Sequence, residues 1–116
     1  MKLIDTNIFL EILLKQTKSE IAKQVLRDLN ETLEPFIVTS FTIHSIIVIL
    51  ENRKQLKELQ IFINSLSEFG NLIFYCLDFD EVSEIVNNLS QWKLDFDDAF
   101  QYFVAKKMDA EIITFD

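Results

Sequence analysis

The chain has 116 residues and a formal net charge of -8, from 19 acidic and 11 basic side chains. That length supports one hydrophobic core and is too short for two. Acidity on this scale disfavours indiscriminate binding to polyanions, because such affinity draws on counterion release by many Lys and Arg.

The composition is that of a folded protein, 49% hydrophobic and 26% charged, with 11 phenylalanines to fill a core. One Gly (Gly70) and one Pro (Pro35) predict few turns with positive φ. The chain should therefore be mostly helix with short, plainly connected strands, which argues against a many-stranded barrel or sandwich.

Lys2 to Ile4 reads as a short buried strand ending at Asp5. Thr6 to Lys15 carries Ile8, Phe9, Ile12 and Leu13 at helical spacing. Ser19 to Asn30 is a second amphipathic helix, with Ile21, Ala22, Val25, Leu26 and Leu29 on one face. After Pro35, Phe36 to Val38 is a strand candidate, and Thr39 or Ser40 caps the helix that follows. Its apolar run, Phe41 to Leu50, is far too short to span a bilayer, which takes roughly 20 residues. It predicts a helix buried on most sides or one that also forms a subunit interface, and the interface is favoured.

Arg53 to Phe69 continues helically through Leu56, Leu59, Ile63 and Leu66 and stops at Gly70. Leu72 to Leu77 is the clearest strand. Its Cys76, the single cysteine, is expected to be a buried reduced thiol, which fits a cytoplasmic protein. Asp78 or Asp80 caps Glu81 to Leu89, Asp95 caps a helix through Met108, and Glu111 to Thr114 is the last strand. Strands separated by helices imply crossovers and an α/β fold, with a short, mostly parallel sheet between two helical layers and residues 1–116 in a single domain. Asp5 and Glu11 interrupt the N-terminal apolar stretch, so no signal peptide is expected.

Three aspartates carry the chemistry. Asp5 ends the first apolar run, Asp98 lies at the start of the last helix, and Asp116 ends the last apolar run. Carboxylates at the C-terminal ends of strands in such folds face the ligand crevice. Gathered there, they repel one another unless a hard cation or a shared proton intervenes. On that ground Asp5→Asn should leave the fold intact or stabilise it. Each residue also has a plain structural role available: Asp5 as N-cap, Asp98 as the acidic partner of Asp95 in a capping box, and Asp116 as a solvated terminal carboxylate. Capping leaves Asp97 as a further carboxylate on the same turn.

The opening Met-Lys-Leu-Ile-Asp-Thr-Asn-Ile-Phe, the Asp-Ala at 98 and 99, and the closing Ile-Ile-Thr-Phe-Asp resemble PIN domains, the nuclease fold of the VapC toxins. The resemblance implies a PIN-like three-layer α/β/α fold over the whole chain. It implies that Asp5, Asp98 and Asp116 match the family's metal-binding aspartates, with Asp97 a further candidate ligand and Asn7 and Thr114 as polar neighbours. It also implies Mg²⁺ or Mn²⁺ as cofactor and hydrolysis of an RNA phosphodiester, with no side-chain nucleophile needed. A toxin of this kind would pair with a basic antitoxin and form a homodimer, through Phe41 to Ile63 here.

One departure matters. PIN nucleases usually carry a Glu on the helix after the second strand, and the register places Ser45 there, beside His44. Neither replaces a carboxylate for a hard cation, and His44 is expected to be hydrogen-bonded at the edge of the core. The alternative is therefore a catalytically degenerate PIN domain acting as an RNA- or protein-binding or dimerisation module. A phosphoacceptor receiver domain fares worst, because Leu72 to Leu77 contains no acceptor Asp.

Overall fold

The computed structural model describes residues 1–116. Its elements are β1 (Lys2–Ile4), α1 (Thr6–Leu13), α2 (Ser19–Thr32), β2 (Phe36–Thr39), α3 (Ser40–Asn52), α4 (Leu56–Ser67), β3 (Leu72–Tyr75), α5 (Phe79–Trp92), α6 (Phe96–Lys107) and β4 (Glu111–Ile113). The four strands form one sheet in the order β3-β2-β1-β4, and every pair is parallel. The chain steps outward from β1 to β2 to β3, then returns to the far side of β1 with β4. That reversal opens a crevice beyond the C-terminal ends of β1 and β4.

Alternation along the strands decides which layer each side chain enters. Ile4, Phe36 and Val38 pack with Ile8, Phe9, Ala22, Leu29, Ile46, Leu50 and Leu66, so α1 to α4 cover one face. Leu3 and Ile37 pack with Ile85, Ala99, Phe100, Phe103 and Val104, so α5 and α6 cover the other. The result is the expected α/β/α sandwich. Edge-to-face ring pairs hold the first layer, Phe9 on Phe62 and Phe36 on Phe69, each with centroids 5.3 Å apart.

Local geometry departs from the expected reading in three places. Five residues other than glycine have positive φ (Lys15, Leu33, Lys54, Lys93 and Asp109), whereas Gly70 does not. All five lie just beyond helix C-termini, where a left-handed residue turns the chain back so that free carbonyls find donors. The scarcity of glycine therefore did not remove these turns; it left them to side chains that bear the steric strain.

Lys54 (φ 58°) also splits the expected long helix after α3. There Gln55 N donates to Leu50 O at 2.9 Å, closing α3 before α4 begins. Cys76 is exposed, not buried: the in-out alternation runs on past the end of β3, so Cys76 faces outward like Phe74 while Tyr75 and Leu77 pack inward. His44 is likewise exposed on α3.

A capping box does form, but at α5. The Asp78 carboxylate accepts from Glu81 N at 2.8 Å, and Glu81 Oε1 accepts from Asp78 N at 3.0 Å. Glu81 Oε2 also accepts from the Tyr75 hydroxyl, and from Lys107 Nζ at 2.8 Å. Burial pushes the Glu81 carboxyl upward, but hydrogen bonds from Lys107, Tyr75 and the Asp78 amide outweigh it and hold the group at about 2.

A carboxyl lowered from 4.5 to about 2 on folding contributes stability above pH 4.5 and loses it as pH falls towards 2. We expect acid to cost up to about 3 kcal/mol through this residue. Urea midpoints measured from pH 6 down to pH 2.5 should show that slope in the wild type and a shallower one in Glu81→Gln.

Candidate active site

Asp5 follows β1 directly. Its backbone stays extended (φ -73°, ψ 157°), and its N–H continues the ladder to Ile113 O at 3.0 Å. The chain then turns into α1, which leaves the carboxylate at the mouth of the crevice, half-buried. Three donors fix it. Thr6 N donates to Oδ1 at 2.7 Å, Gln101 Nε2 donates to the same oxygen at 3.3 Å, and Thr114 Oγ1 donates to Oδ2 at 2.8 Å. The structural role foreseen for Asp5, capping α1, is thus real. It coexists with a place at the centre of a polar network.

That network spans both helical layers. The Gln101 amide oxygen accepts from the Thr39 hydroxyl at 2.9 Å, and its nitrogen lies 3.4 Å from Thr42 Oγ1. Thr42 shares a 2.9 Å hydrogen bond with Thr6, and Thr39 caps α3 through Thr42 N at 3.3 Å. On the other side Asn7 Nδ2 donates to Thr114 Oγ1 at 3.0 Å, while Phe115 N donates to Asn7 Oδ1 at 3.3 Å. Thr114 therefore contacts Asp5 directly, and Asn7 reaches it through Thr114.

Gln101, Thr39 and Thr42 were not foreseen. Gln101 is 6% exposed, and a polar amide in an otherwise apolar buried stretch of α6 was the available signal.

Asp97 and Asp98 occupy the first turn of α6, four and three residues ahead of Gln101. Both therefore lie one turn up the helix on the Gln101 side, and both are exposed. Asp95 stands at the N-cap but makes no side-chain cap, so the box that Asp95 and Asp98 were expected to close does not form. Asp116 is exposed, its N–H donating to Thr114 Oγ1 at 3.1 Å. Ser45 lies on α3 one turn beyond Thr42 and is half-buried. Lys18 Nζ lies 5.1 Å from the ring centre of Phe115, the residue before Asp116.

The carboxylates do not converge. No group of three His, Cys, Asp or Glu side chains is placed to share a metal ion. The donor set is nonetheless all oxygen, which suits a hard cation. Mg²⁺ is commonly held by one or two carboxylates, with water and substrate phosphate completing its shell. The residues fit such an ion by chemistry, as a sparse site rather than a closed cage.

Fold and site together define an α/β/α protein with an acidic strand-end crevice. The PIN domain family matches residues 2–116, and the chain belongs to it. Among solved structures, a chain from a toxin–antitoxin complex of Klebsiella pneumoniae is similar, with a TM-score of 0.73 and 22% identity over 100% of this chain and 87% of that one. At that identity the likeness establishes the fold. No curated protein matches the chain. No helix is long and apolar enough to cross a membrane.

Proposed function

We propose that the chain is a divalent-metal-dependent endoribonuclease of the PIN type, the toxin-like member of a toxin–antitoxin pair. The observation that carries this reading is Asp5, at the end of the central strand, linked by Gln101 to the helix that bears Asp97 and Asp98 one turn away. Asp5 and Asp98 would hold Mg²⁺ or Mn²⁺, with Asp116 and Asp97 as further ligands. When bound, the ion supplies positive charge for the phosphate and its attacking water.

The chain's own residues then do the positioning. Thr6 N, Gln101 and Thr114 leave the Asp5 carboxylate little freedom to rotate, and Asn7 fixes Thr114 in turn. An acidic surface suits a partner with a basic arm, and the structurally similar chain named above comes from a toxin–antitoxin complex. Ile47 and Val48, 37% and 39% exposed on α3, offer an apolar face for a homodimer through Phe41 to Ile63. The cytoplasm would be the place of action.

A specific feature favours a second reading, a degenerate PIN domain that binds without cleaving: Ser45 stands where the family's Glu is expected. Single-stranded RNA incubated with Mn²⁺ separates the two. Cleavage that requires Mn²⁺ and is lost in Asp98→Asn supports the nuclease. Intact RNA with a folded protein supports the binding module.

A further inference from the structure

Beside the carboxylates lies an aromatic row that the proposed function does not use. Phe96 is the first residue of α6, in the same turn as Asp97 and Asp98. Its ring packs edge-on against Phe100 with centroids 6.4 Å apart. Phe100 in turn tilts against Phe41 at 6.4 Å. Phe41 is the second residue of α3, two positions after Thr39, whose hydroxyl holds Gln101. The row thus runs from the start of α3 to the start of α6, the two helices that carry Thr42 and Gln101 of the Asp5 network.

Phe100 is 5% exposed, whereas Phe96 is 36% exposed. The inner ring is packed on both sides, and the outer ring keeps a free surface at the rim. Phe79 is more exposed, at 85%, but it opens α5 beyond β3, two strands away from β1.

We infer that Phe96 is a base-stacking, specificity-determining residue, taking one unpaired nucleobase of a single-stranded RNA whose phosphate lies at the Asp5 crevice. This rests on the nuclease reading for the place of the phosphate. A protein with net charge -8 gains little from backbone neutralisation. Beyond the charge that a bound ion would supply at the Asp5 crevice, affinity for a polyanion must then come from contacts that do not need positive charge, and stacking on an aromatic face is the main one. A paired base is closed to such contact, so the same ring selects single strands. The Phe100 and Phe41 rings behind it hold the platform rigid.

The test uses the intact chain and a short single-stranded RNA containing 2-aminopurine, with phosphorothioate linkages to slow hydrolysis, in Mg²⁺. Fluorescence quenching of the probe reads stacking directly. Phe96→Leu keeps an apolar side chain on Phe100 but removes the aromatic face, and Phe96→Trp keeps both. Urea midpoints confirm that each variant folds. We expect roughly 5- to 100-fold weaker binding and lost quenching in Phe96→Leu, with near wild-type behaviour in Phe96→Trp.

Equal binding by wild type and Phe96→Leu, or no quenching by the wild type, overturns the inference. Cleavage of an unmodified strand is followed in parallel. Quenching that depends on Phe96, without cleavage, upholds the stacking role and removes the nuclease reading. Cleavage with the same KM and kcat in wild type and Phe96→Leu upholds the nuclease and removes the stacking role.

Discussion

Asp5→Asn is expected to cost about 1–2 kcal/mol of stability and, on the proposed reading, to abolish saturable Mn²⁺ binding. Carboxylate crowding alone would predict a neutral or stabilising change. No three acidic groups converge in the structure, and the hydrogen bonds around Asp5 set the sign instead.

What it reveals is a carboxylate used as an acceptor on both oxygens. Thr6 N and Gln101 Nε2 both donate to Oδ1, so the oxygen of an asparagine must take that place. Its NH₂ then meets the Thr114 hydroxyl, which already accepts from Asn7 Nδ2 and from Asp116 N. The Thr114 proton loses its acceptor, and three donors face one oxygen. Removing that hydroxyl in advance, with Thr114→Val, should make the Asp5→Asn step cheaper, a coupling that a double-mutant cycle measures. Urea denaturation gives the stability and calorimetry gives the Mn²⁺ affinity. If both are unchanged in Asp5→Asn, the residue has neither role.

Phe36→Ala should be the most destabilising single change considered, at about 3–5 kcal/mol. Phe36 is fully buried, packs edge-on against Phe69 at 5.3 Å, and pairs in register with both Lys2 of β1 and Leu72 of β3. Truncation opens a cavity at the join of three strands and two helices, where little can collapse to fill it. Natural domains hold only about 5–15 kcal/mol in all, so the loss is a large part of the total. A fall in melting temperature of roughly 10–20 °C follows for a domain of this size. Phe36→Leu keeps most of the volume and should cost under about 1.5 kcal/mol. Denaturant midpoints should move with little change in slope, as expected for an altered native core. A small effect of Phe36→Ala would mean that the α1–α4 layer repacks more freely than its contacts suggest.

Much of the architecture was legible in order because it follows from pattern. The apolar pair Leu3–Ile4 before Asp5, the run Phe36–Val38 and the run Leu72–Leu77 read as short strands, and each contains one. Helical spacing between them required parallel crossovers. Asp5 was legible for the same reason: it follows the end of a strand, and a parallel fold sends strand ends to one crevice. Asn7 and Thr114 were marked only by the resemblance to PIN domains.

Other features depend on contacts that sequence neighbours do not encode. Gln101 meets Asp5 across 96 positions, and nothing local marks it except polarity within an apolar stretch. The break at Lys54 rests on a single left-handed residue, which hydrophobic periodicity cannot register because the apolar positions continue on either side. Cys76 looked buried because its neighbours are apolar, but it takes the outward position between Tyr75 and Leu77, which pack inward.

By itself, then, the sequence determined the class of fold, the layer each strand residue enters and the acidic strand ends, all consequences of periodicity and chain order. Tertiary structure decided how Asp5 is held, since the fold brings α6 against β1 and joins Gln101 and four threonines to it in one network. It also decided that Asp5 is half-buried while Asp97, Asp98 and Asp116 are exposed, because the first is enclosed by α1, α6 and the end of β4 and the others stand at a helix start and the chain end.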